Sequence, residues 1–479
     1  MTLSVVPGGR VSARRLAGLL GSWRAPGGRR AATDLAGGVR LLAQEGHLPA
    51  GTRLPAEREL ADALAVSRTL VTAAMDLLRT DGVVASRRGA GSWITAPDQP
   101  RGSDPVDTAD LIDLARASPE AIPTLADAVA VAAQQLPVHL RGHGYHPHGL
   151  PALRERIAAR FRARGLATTA EQIVVTSGAH NAFVLILRMF VHPGDRVLVE
   201  QPTYPNALDA IRADNALPIG VAMTEDGWSL DGIEAALRQS APRLGYFVPD
   251  FHNPTGHRMT DAGRAQLATA LRRTRTMAVA DETMVELALD GGPAPAPLAS
   301  FAPNLVCTIG SASKSHWGGL RIGWVRAPME LVDRLVAVRA TMDLGAPVFE
   351  QLVLAELLAD PEPALAQRRR VLAGRRDLLI AALAEHCPQW IVRRPAGGLV
   401  TWCELDEPVA TRLAVAAESQ GLRLVPGARF GVDGGWERWL RVPFTLPPAV
   451  LTDAVARLGR VARAVGGRHI ADAARVPVA

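Results

Sequence analysis

The chain of 479 residues contains 53 lysine and arginine residues, and Lys314 is its single lysine. Guanidinium stays protonated in proteins, so lysine is the basic side chain that can lose its proton and condense with an aldehyde. Two hydroxyls, Ser311 and Ser313, precede Lys314, and the guanidinium of Arg321 follows it, which suits a phosphate. The pattern predicts a Schiff-base lysine for pyridoxal 5'-phosphate, a phosphorylated cofactor that carries an aldehyde. Codon bias explains the depletion of lysine, but it does not explain where the remaining lysine stands.

Four loops that follow short apolar runs carry the other groups that such a cofactor needs. Gly178 and Ala179 open a helix, where small residues let backbone N–H groups approach a phosphate. Tyr204 offers a flat ring for stacking, and Asn253 offers a neutral hydrogen-bond donor. Asp281 ends an apolar run, and a carboxylate there would keep the ring nitrogen protonated. Each residue alone is common in loops, and their order around the lone lysine carries the prediction.

These loops need a scaffold that brings them together. From residue 111, helical stretches alternate with short apolar runs, which predicts a mostly parallel α/β sheet covered on both faces. The seven predicted strands are Ile173–Thr176, Arg196–Val199, Pro218–Ala222, Leu244–Val248, Met277–Ala280, Leu305–Ile309 and Ile322–Val325. Three later runs predict a smaller α+β lobe, at Gly398–Glu404, Leu422–Val425 and Leu440–Val442.

The positive charge of the chain is concentrated at its N-terminal end. Residues 1–100 hold 13 arginines and 8 acidic residues, whereas the other 379 residues hold 40 basic and 39 acidic residues. An excess of this kind indicates a polyanionic partner, usually nucleic acid, or a solvated basic face. Charge alone leaves the two alternatives open.

Residues 12–97 are predicted to form a winged helix-turn-helix. A helical stretch begins at Pro55 and ends at Leu64, and Ser67 fits the N-cap of a second helix, from Arg68 to Arg79. Two short strands follow, with a basic, glycine-rich tip between them. The second helix would enter the major groove of double-stranded DNA.

Five residues stand where such a domain contacts DNA. Arg68 and Thr69, at the start of the second helix, would reach base edges. Arg58 and the wing arginines Arg87 and Arg88 suit phosphates or the minor groove. Arg68 taken by itself is equally typical of a solvated surface arginine.

The segments LPAERELADALAVSRT and DGVVASRRGAG resemble the GntR family of bacterial repressors, over residues 30–97. The resemblance implies DNA contacts from Arg58, Ser67, Arg68, Thr69 and Gly89. Leu70 departs from the family, which often has threonine there. Capping of its own helix explains Ser67 equally well.

The other segments suggest a cytoplasmic protein with no membrane partner. Residues 98–110 are rich in Pro, Gly, Ser and Asp and are typical of a linker, while residues 467–479 are predicted to form a tail. Three scattered cysteines have neither metal nor disulfide spacing, which fits a reducing compartment. We expect no signal peptide and no membrane span.

The order of the cofactor-binding loops resembles the fold-type I aminotransferases over residues 111–466. By that resemblance Lys314 forms the Schiff base, Asp281 pairs with the pyridine nitrogen, and Asn253 binds the phenolic oxygen. Tyr204 would stack on the ring. The phosphate would be held by Gly178, Ala179, Ser311, Ser313 and Arg321.

The same resemblance assigns three further residues. Tyr145 corresponds to a tyrosine that reaches the phosphate of the partner subunit, which implies a homodimer. Arg441 corresponds to the arginine that binds a substrate carboxylate, for which a bidentate guanidinium is suited. Thr283 stands where family enzymes usually have a tyrosine that donates to the phenolic oxygen. A shorter hydroxyl there puts rapid transamination in doubt, although cofactor binding is not affected.

A GntR-type domain joined to an aminotransferase-like domain resembles the MocR subfamily of regulators. We therefore expect a transcription regulator that binds pyridoxal phosphate and senses the cofactor or a small amino compound. One alternative is a working class I/II aminotransferase that carries a DNA-binding domain. Another is a DNA-binding protein whose C-terminal domain is structural and binds no ligand.

Overall fold

The computed structural model describes residues 9–21, 23–24, 31–44, 47–87, 91–95 and 111–466. The predicted linker and tail lie outside the described residues, and so do Arg88 and Gly89 of the predicted wing.

The first described elements build the winged domain. They are α1 (Ala13–Leu20), α2 (Ala31–Gln44), α3 (Glu57–Leu64), α4 (Arg68–Thr80), β1 (Val84–Arg87) and β2 (Gly91–Ile94). Ala65 turns the chain between α3 and α4 in the left-handed conformation (φ 52°), and Ser67 caps α4. Val71, Met75 and Leu78 are buried on the inner face of α4. The strands β1 and β2 pair as an antiparallel hairpin, and the predicted winged helix-turn-helix is confirmed.

The start of α3 differs from the prediction. Pro55 lies before the N-cap residue Ala56, which is extended (ψ 143°), and the helix begins at Glu57. The carboxylate of Glu59 accepts a hydrogen bond from the Ala56 N–H at 3.4 Å. This side-chain cap, and not a proline in the first turn, accompanies the helix start.

The large domain contains a seven-stranded sheet with helices on both faces. Its elements, in chain order, are β3 (Ile112–Asp113), α5 (Leu125–His139), α6 (Pro151–Ala163), β4 (Ile173–Thr176), α7 (Ala179–Phe190), β5 (Arg196–Gln201), α8 (Pro205–Ala213), β6 (Leu217–Ala222), α9 (Leu230–Ser240), β7 (Leu244–Phe247), α10 (Asp261–Thr274), β8 (Met277–Asp281), α11 (Leu298–Phe301), β9 (Val306–Ser311), α12 (Ala312–Ser315), β10 (Gly323–Arg326), α13 (Met329–Arg339) and α14 (Val348–Leu357). The strand order is β4-β10-β9-β8-β7-β5-β6. Only β10 within this sheet runs antiparallel to its neighbours, so the predicted mostly parallel sheet is confirmed.

All seven predicted strands are present, with ends that shift by one or two residues. The sixth strand is Val306–Ser311 and not Leu305–Ile309. Because β9 extends to Ser311, the short helix α12 begins immediately at the carboxyl edge of the sheet, where ligands bind in open α/β folds.

The small lobe follows, and one predicted strand is divided in it. Its elements are α15 (Glu362–His386), β11 (Ile391–Val392), β12 (Val400–Glu404), α16 (Ala410–Glu418), β13 (Leu422–Arg423), β14 (Val425–Pro426), β15 (Trp439–Pro443) and α17 (Pro448–Gly466). The predicted strand Leu422–Val425 is split at Leu424. Its first part pairs with β3 and its second part with β15, so each half has a different partner strand.

The winged domain packs against this small lobe within the chain. Helix α2 contacts α16, and a Cβ on Gly37 would lie 2.9 Å from a methyl of Val415. Leu41 of α2 is buried within the hydrophobic core of the small lobe. The two domains therefore share a packed interface and not only a connecting segment.

Within the described parts of the chain, no helix has the length and apolar character needed to cross a membrane. Cys307, Cys387 and Cys403 are free and buried.

Candidate functional site

Lys314 lies on α12, directly after the central strand β9. Its ammonium donates a hydrogen bond to the Ala117 carbonyl at 2.7 Å. Burial, with the nearby charge of Arg441, lowers the pKa of Lys314 to about 8. Near neutral pH a larger fraction of this amine is therefore neutral than of an exposed lysine, and the neutral amine is the form that attacks an aldehyde.

The residues predicted to hold a phosphate come together around α7. Gly178 is the N-cap of this twelve-residue helix, with φ 95°, and a Cβ there would lie 2.9 Å from Arg321 Nη2. Arg321 Nη2 donates to the Ser177 carbonyl at 3.0 Å. Gly323, paired with Ser311 in the sheet, lies so close that its Cβ would meet the Gly178 and Ala179 backbone at 2.5–2.7 Å. The N-terminus of α7 and the Arg321 guanidinium thus lie together, with Ser311 on the adjoining strand, and this combination favours an anion.

The two serines before the lysine are hydrogen-bonded to each other. The Ser311 hydroxyl donates to Ser313 Oγ at 2.8 Å and accepts from the Ser313 N–H at 3.1 Å. Ser311 is buried, whereas Ser313 is partly exposed. Both hydroxyls stand within three residues of the lysine, on the side of the sheet edge where α7 begins.

Asp281 ends β8, and both of its oxygens accept hydrogen bonds. The Tyr246 hydroxyl donates to Oδ2 at 2.8 Å, and the Thr283 N–H donates to Oδ1 at 3.0 Å. The Thr283 hydroxyl also donates to Oδ1. Burial raises the pKa of Asp281, while the hydrogen bonds from Thr283 and Tyr246 oppose that rise. The Thr283 hydroxyl, which stands where the resembling enzymes usually have a tyrosine that donates to the phenolic oxygen, is thus bonded to the carboxylate.

Tyr246 was missed by the sequence reasoning. It lies within the fully buried strand β7, and a phenolic hydroxyl on such a strand needs a partner inside the protein. That requirement was the available signal, but only the sheet order identifies the partner as Asp281.

Arg441, on β15, lies beside Asn253. Its Nη1 donates to Asn253 Oδ1 at 3.4 Å, and its Nη2 donates to the Ala115 carbonyl. The guanidinium carbon stands 5.2 Å from the centre of the Phe430 ring. Burial lowers the pKa of Arg441 to about 10, and its Nε has no hydrogen-bond partner among the described residues. A buried guanidinium with a free N–H can bind a carboxylate by donating hydrogen bonds to it.

Tyr204 and Tyr145 have different surroundings. Tyr204 is the N-cap of α8, and burial, followed by the negative charge of Asp281, raises the pKa of its hydroxyl. The positive charge of Arg441 acts in the opposite direction and lowers this pKa, so the Tyr204 hydroxyl interacts electrostatically with both Asp281 and Arg441. Tyr145 is not part of this group: its side chain is exposed, and its ring stacks on His143 with centroids 5.6 Å apart.

In the winged domain the residues predicted to contact DNA lie at the surface. Arg58, Arg68, Thr69 and Arg87 are exposed. Ser67 is exposed as well, but its hydroxyl accepts the Leu70 N–H at 3.3 Å and so caps α4.

Within the winged domain, Arg79 of α4 makes hydrogen bonds to two other elements. It donates to Glu57 of α3 at 2.9 Å and to Ser86 of β1 at 2.9 Å. Glu57 also accepts from the Thr72 hydroxyl at 2.7 Å. This network fixes α4 relative to α3 and to the wing strand β1. The sequence reasoning did not find it.

Residues 116–458 match the family model for aminotransferase class I and II. The chain belongs to this family. A second model, bacterial regulatory proteins of the gntR family, matches residues 36–94 of this aminotransferase-family protein. The predicted combination of a GntR-type domain with an aminotransferase-like domain is confirmed.

Relatives of both kinds are found. The probable rhizopine catabolism regulatory protein MocR of Rhizobium meliloti is 30% identical over 419 residues, which are 80% of this chain and 84% of the relative. The 2-aminoadipate transaminase of Thermus thermophilus is 30% identical over 308 residues, or 63% of this chain and 77% of the relative. The recognition of a MocR-type regulator is confirmed by the first match and by the two domain matches.

A solved structure covers the aminotransferase-like part. The α-aminoadipate aminotransferase LysN of Thermus thermophilus, complexed with N-(5'-phosphopyridoxyl)-L-leucine, has a TM-score of 0.69 and 28% identity. It aligns with 76% of this chain and 96% of its own. The fold-type assignment of residues beyond the winged domain is thereby confirmed.

Proposed function

We propose that this MocR-type regulator binds pyridoxal phosphate through Lys314 and uses it to sense a small amino compound that carries a carboxylate. The donor set fits the cofactor: an amine with a lowered pKa, a half-buried carboxylate that accepts hydrogen bonds on both oxygens, and a glycine at a helix N-terminus beside Arg321. When bound, the cofactor supplies an aldehyde for amines and an electron-withdrawing ring. Lys314 would hold it, Asp281 would face its ring nitrogen, and Tyr204 and Asn253 would contact the ring.

The class of effector follows from Arg441. Its buried guanidinium donates to the carbonyl of Ala115 and to the side chain of Asn253, while its Nε–H has no partner among the described residues. A carboxylate would accept two parallel N–H bonds from it and would displace the weaker neutral acceptors. An amino group for the cofactor and a carboxylate for Arg441 together describe an amino acid or a close analogue.

One observation favours regulation as the role of this site. Arg429 Nη1 donates to His47 Nδ1 of the winged domain at 2.7 Å. The next residue, Phe430, carries the ring beneath the Arg441 guanidinium, and its carbonyl accepts the Thr203 N–H at 2.9 Å. A single turn of the small lobe therefore contacts the DNA-binding domain, the candidate carboxylate-binding arginine and the segment that presents Tyr204.

His47 is suited to this contact because it stays neutral. Burial, followed by the positive charge of Arg429, lowers the pKa of His47 to about 3. Its ring is therefore uncharged at physiological pH and accepts from the guanidinium. Asp209 of α8 completes the group, 3.8 Å from Arg429 Nη2. Movement of the small lobe against α8 would change these contacts, and through them the position of the winged domain.

On the DNA side, we propose that Arg68 and Thr69 read base edges of an operator. Arg58, Arg87 and Arg88 would contact phosphates, with Gly89 letting the wing approach the DNA closely. Ser67 would act mainly as the cap of α4. The proposed domain limits remain 12–97, 98–110, 111–466 and 467–479, in a cytoplasmic protein.

A homodimer is part of the proposal. Tyr145 is 57% exposed, Val138 and Leu140 are exposed as well, and the rings of the flanking residues His139 and His146 lie with centroids 6.3 Å apart. A tyrosine and aliphatic side chains at one surface are typical of a protein interface. In a dimer, the exposed Tyr145 would be available to the phosphate site of the partner subunit.

The alternative is a working aminotransferase, which the transaminase relatives favour. The engagement of the Thr283 hydroxyl with Asp281 opposes it, because the phenolic oxygen would then lack that donor. Steady formation of keto acid from an amino donor by the full chain would favour the enzyme.

The test of cofactor binding is chemical. Full-length protein supplied with pyridoxal phosphate should gain a visible absorbance band, and borohydride should fix the cofactor to the peptide that contains Lys314. Lys314→Arg is the matched variant, because it keeps a cation but cannot condense with an aldehyde. An unchanged band in that variant, or no uptake by the wild type, would refute the assignment.

A further inference from the structure

We infer that Tyr246 and Thr283 are positioning residues that hold Asp281 ionised and oriented toward the ring nitrogen of the cofactor. This inference rests on the proposed function. The Tyr246 hydroxyl donates to Oδ2 at 2.8 Å, and Thr283 donates its N–H (3.0 Å) and its hydroxyl to Oδ1. Three donors thus approach one carboxylate from two different segments of the chain.

The position of Tyr246 is itself fixed by packing. It stands on β7, next to β8, and its side chain is 1% exposed. Its ring lies against Phe183 of α7, with centroids 4.6 Å apart and planes tilted by 53°. Helix α7 is the helix whose N-terminus is the candidate phosphate site, so Tyr246 connects that helix with the carboxylate at the other end of the cofactor.

The donors have a physical task, because burial alone favours the neutral carboxyl group. Burial raises the pKa of Asp281, and the charge of Glu200 on β5 adds to this effect. The hydrogen bonds from Thr283 and Tyr246 lower it. A protonated Asp281 could no longer stabilise a proton on the ring nitrogen.

Several titratable groups interact electrostatically with Asp281. Among the described residues they include Glu200, Tyr204, Tyr246, His180 and Lys314. Of these, Tyr246 donates a hydrogen bond to the carboxylate. The two hydroxyls are therefore the groups whose removal changes Asp281 most directly.

Thr283 distinguishes this site from the pattern that is usual in the enzymes that the chain resembles. Where the resembling enzymes usually place a tyrosine against the phenolic oxygen, this chain has a short hydroxyl that reaches back two residues to Asp281. Relative to those enzymes, the Asp281 carboxylate gains a hydrogen-bond donor, and the position facing the phenolic oxygen of the cofactor loses one.

The test uses full-length protein loaded with pyridoxal phosphate and follows the pH titration of the visible band. Asp281→Asn defines the direction in which the midpoint moves when the carboxylate is lost. Tyr246→Phe and Thr283→Val should each move it in that same direction, by at least about half a pH unit, and the double variant should move it further. The dissociation constant for the cofactor should rise in the same order.

Two matched controls separate positioning from packing. Phe183→Leu loosens the contact with the Tyr246 ring but leaves both hydroxyls, so it should lower the melting temperature and move the titration midpoint less than Tyr246→Phe does. Thr269→Val makes the same change as Thr283→Val on α10, where the hydroxyl bonds only within the helix and to Arg272. If the cofactor-loaded wild type and both hydroxyl variants titrate with the same midpoint, the inference is overturned. If the wild type takes up no cofactor, the proposed function is overturned instead.

Discussion

Residue identity at Lys314 is the observation from which the chemistry begins. An arginine-rich chain keeps one amine, and the fold buries it so that its pKa falls to about 8. Burial disfavours the ammonium, and the neighbouring Arg441 adds repulsion, while Asp281 only partly compensates. The lysine is thus prepared for condensation before any cofactor arrives.

A pH dependence follows from this lowered pKa. The neutral amine is the reactive form, so the rate of cofactor uptake by cofactor-free protein should rise with pH and reach half its limit near pH 8. Stopped-flow absorbance on mixing with pyridoxal phosphate measures this rate. A midpoint near the ordinary lysine value, as in an exposed amine, would contradict the role assigned to burial.

At the scale of elements, two adjacent residues at the start of α4 have different roles. Ser67 closes the helix start, with its hydroxyl accepting the Leu70 N–H at 3.3 Å, and Arg68 extends into solvent. The sequence reasoning left Ser67 open between capping and DNA contact, and the observed bond is the capping one. The position of the helix itself was predicted to within a residue, because its apolar spacing and cap signals agree.

The two residues should therefore respond differently to replacement. Arg68→Ala should weaken operator binding by about 1–3 kcal/mol and leave the melting temperature unchanged, since the side chain is exposed. Ser67→Ala should destabilise the winged domain by about 1 kcal/mol through loss of the cap. Fluorescence anisotropy with operator and random duplexes, together with thermal unfolding, measures both effects. Equal losses for Arg68→Ala on both duplexes would make it a phosphate contact.

Strand-end chemistry was predictable to a lesser degree. Asp281 was found from its place at the end of an apolar run, which is typical of the carboxyl edge of a parallel sheet, and Lys314 was found as the single lysine of the chain. The role of Tyr246 was not found, because its partner lies 35 residues away and becomes adjacent only when β7 pairs with β8. The partner of the Thr283 hydroxyl was not found either, because the resemblance described only the tyrosine that usually stands at this position.

At the scale of the whole molecule, the two domains, each of which matches a different family, are joined by a packed interface and not only by the connecting chain. Helix α2 of the winged domain lies on α16, and the His47–Arg429 hydrogen bond stands at its edge, next to Phe430 and Arg441. An effector alters DNA affinity only as far as it favours one arrangement of the domains. This interface is where such a preference could be transmitted.

Arg429→Ala should uncouple the two domains. Without its guanidinium, an amino acid that binds the cofactor-loaded protein should change operator affinity by a smaller factor, with about 1–3 kcal/mol of coupling lost. The measurement is operator binding with and without the amino acid, combined with the amino acid's own dissociation constant. Arg273→Ala, which breaks a surface ion pair with Glu234 on α9, is the control and should leave the coupling intact. Undiminished coupling in Arg429→Ala would show that the signal takes another route.

The sequence by itself determined the two domain types, the order of the strands along the chain and the candidate residues for a cofactor site. Local spacing, capping residues and one isolated amine carry that information because they act over a few neighbouring positions. Only the tertiary structure decided that Tyr246 and Thr283 bond Asp281, and that His47 meets Arg429 beside Phe430. These contacts join residues that are remote along the chain or compete for one hydroxyl, so their geometry depends on how the sheet and the domains pack.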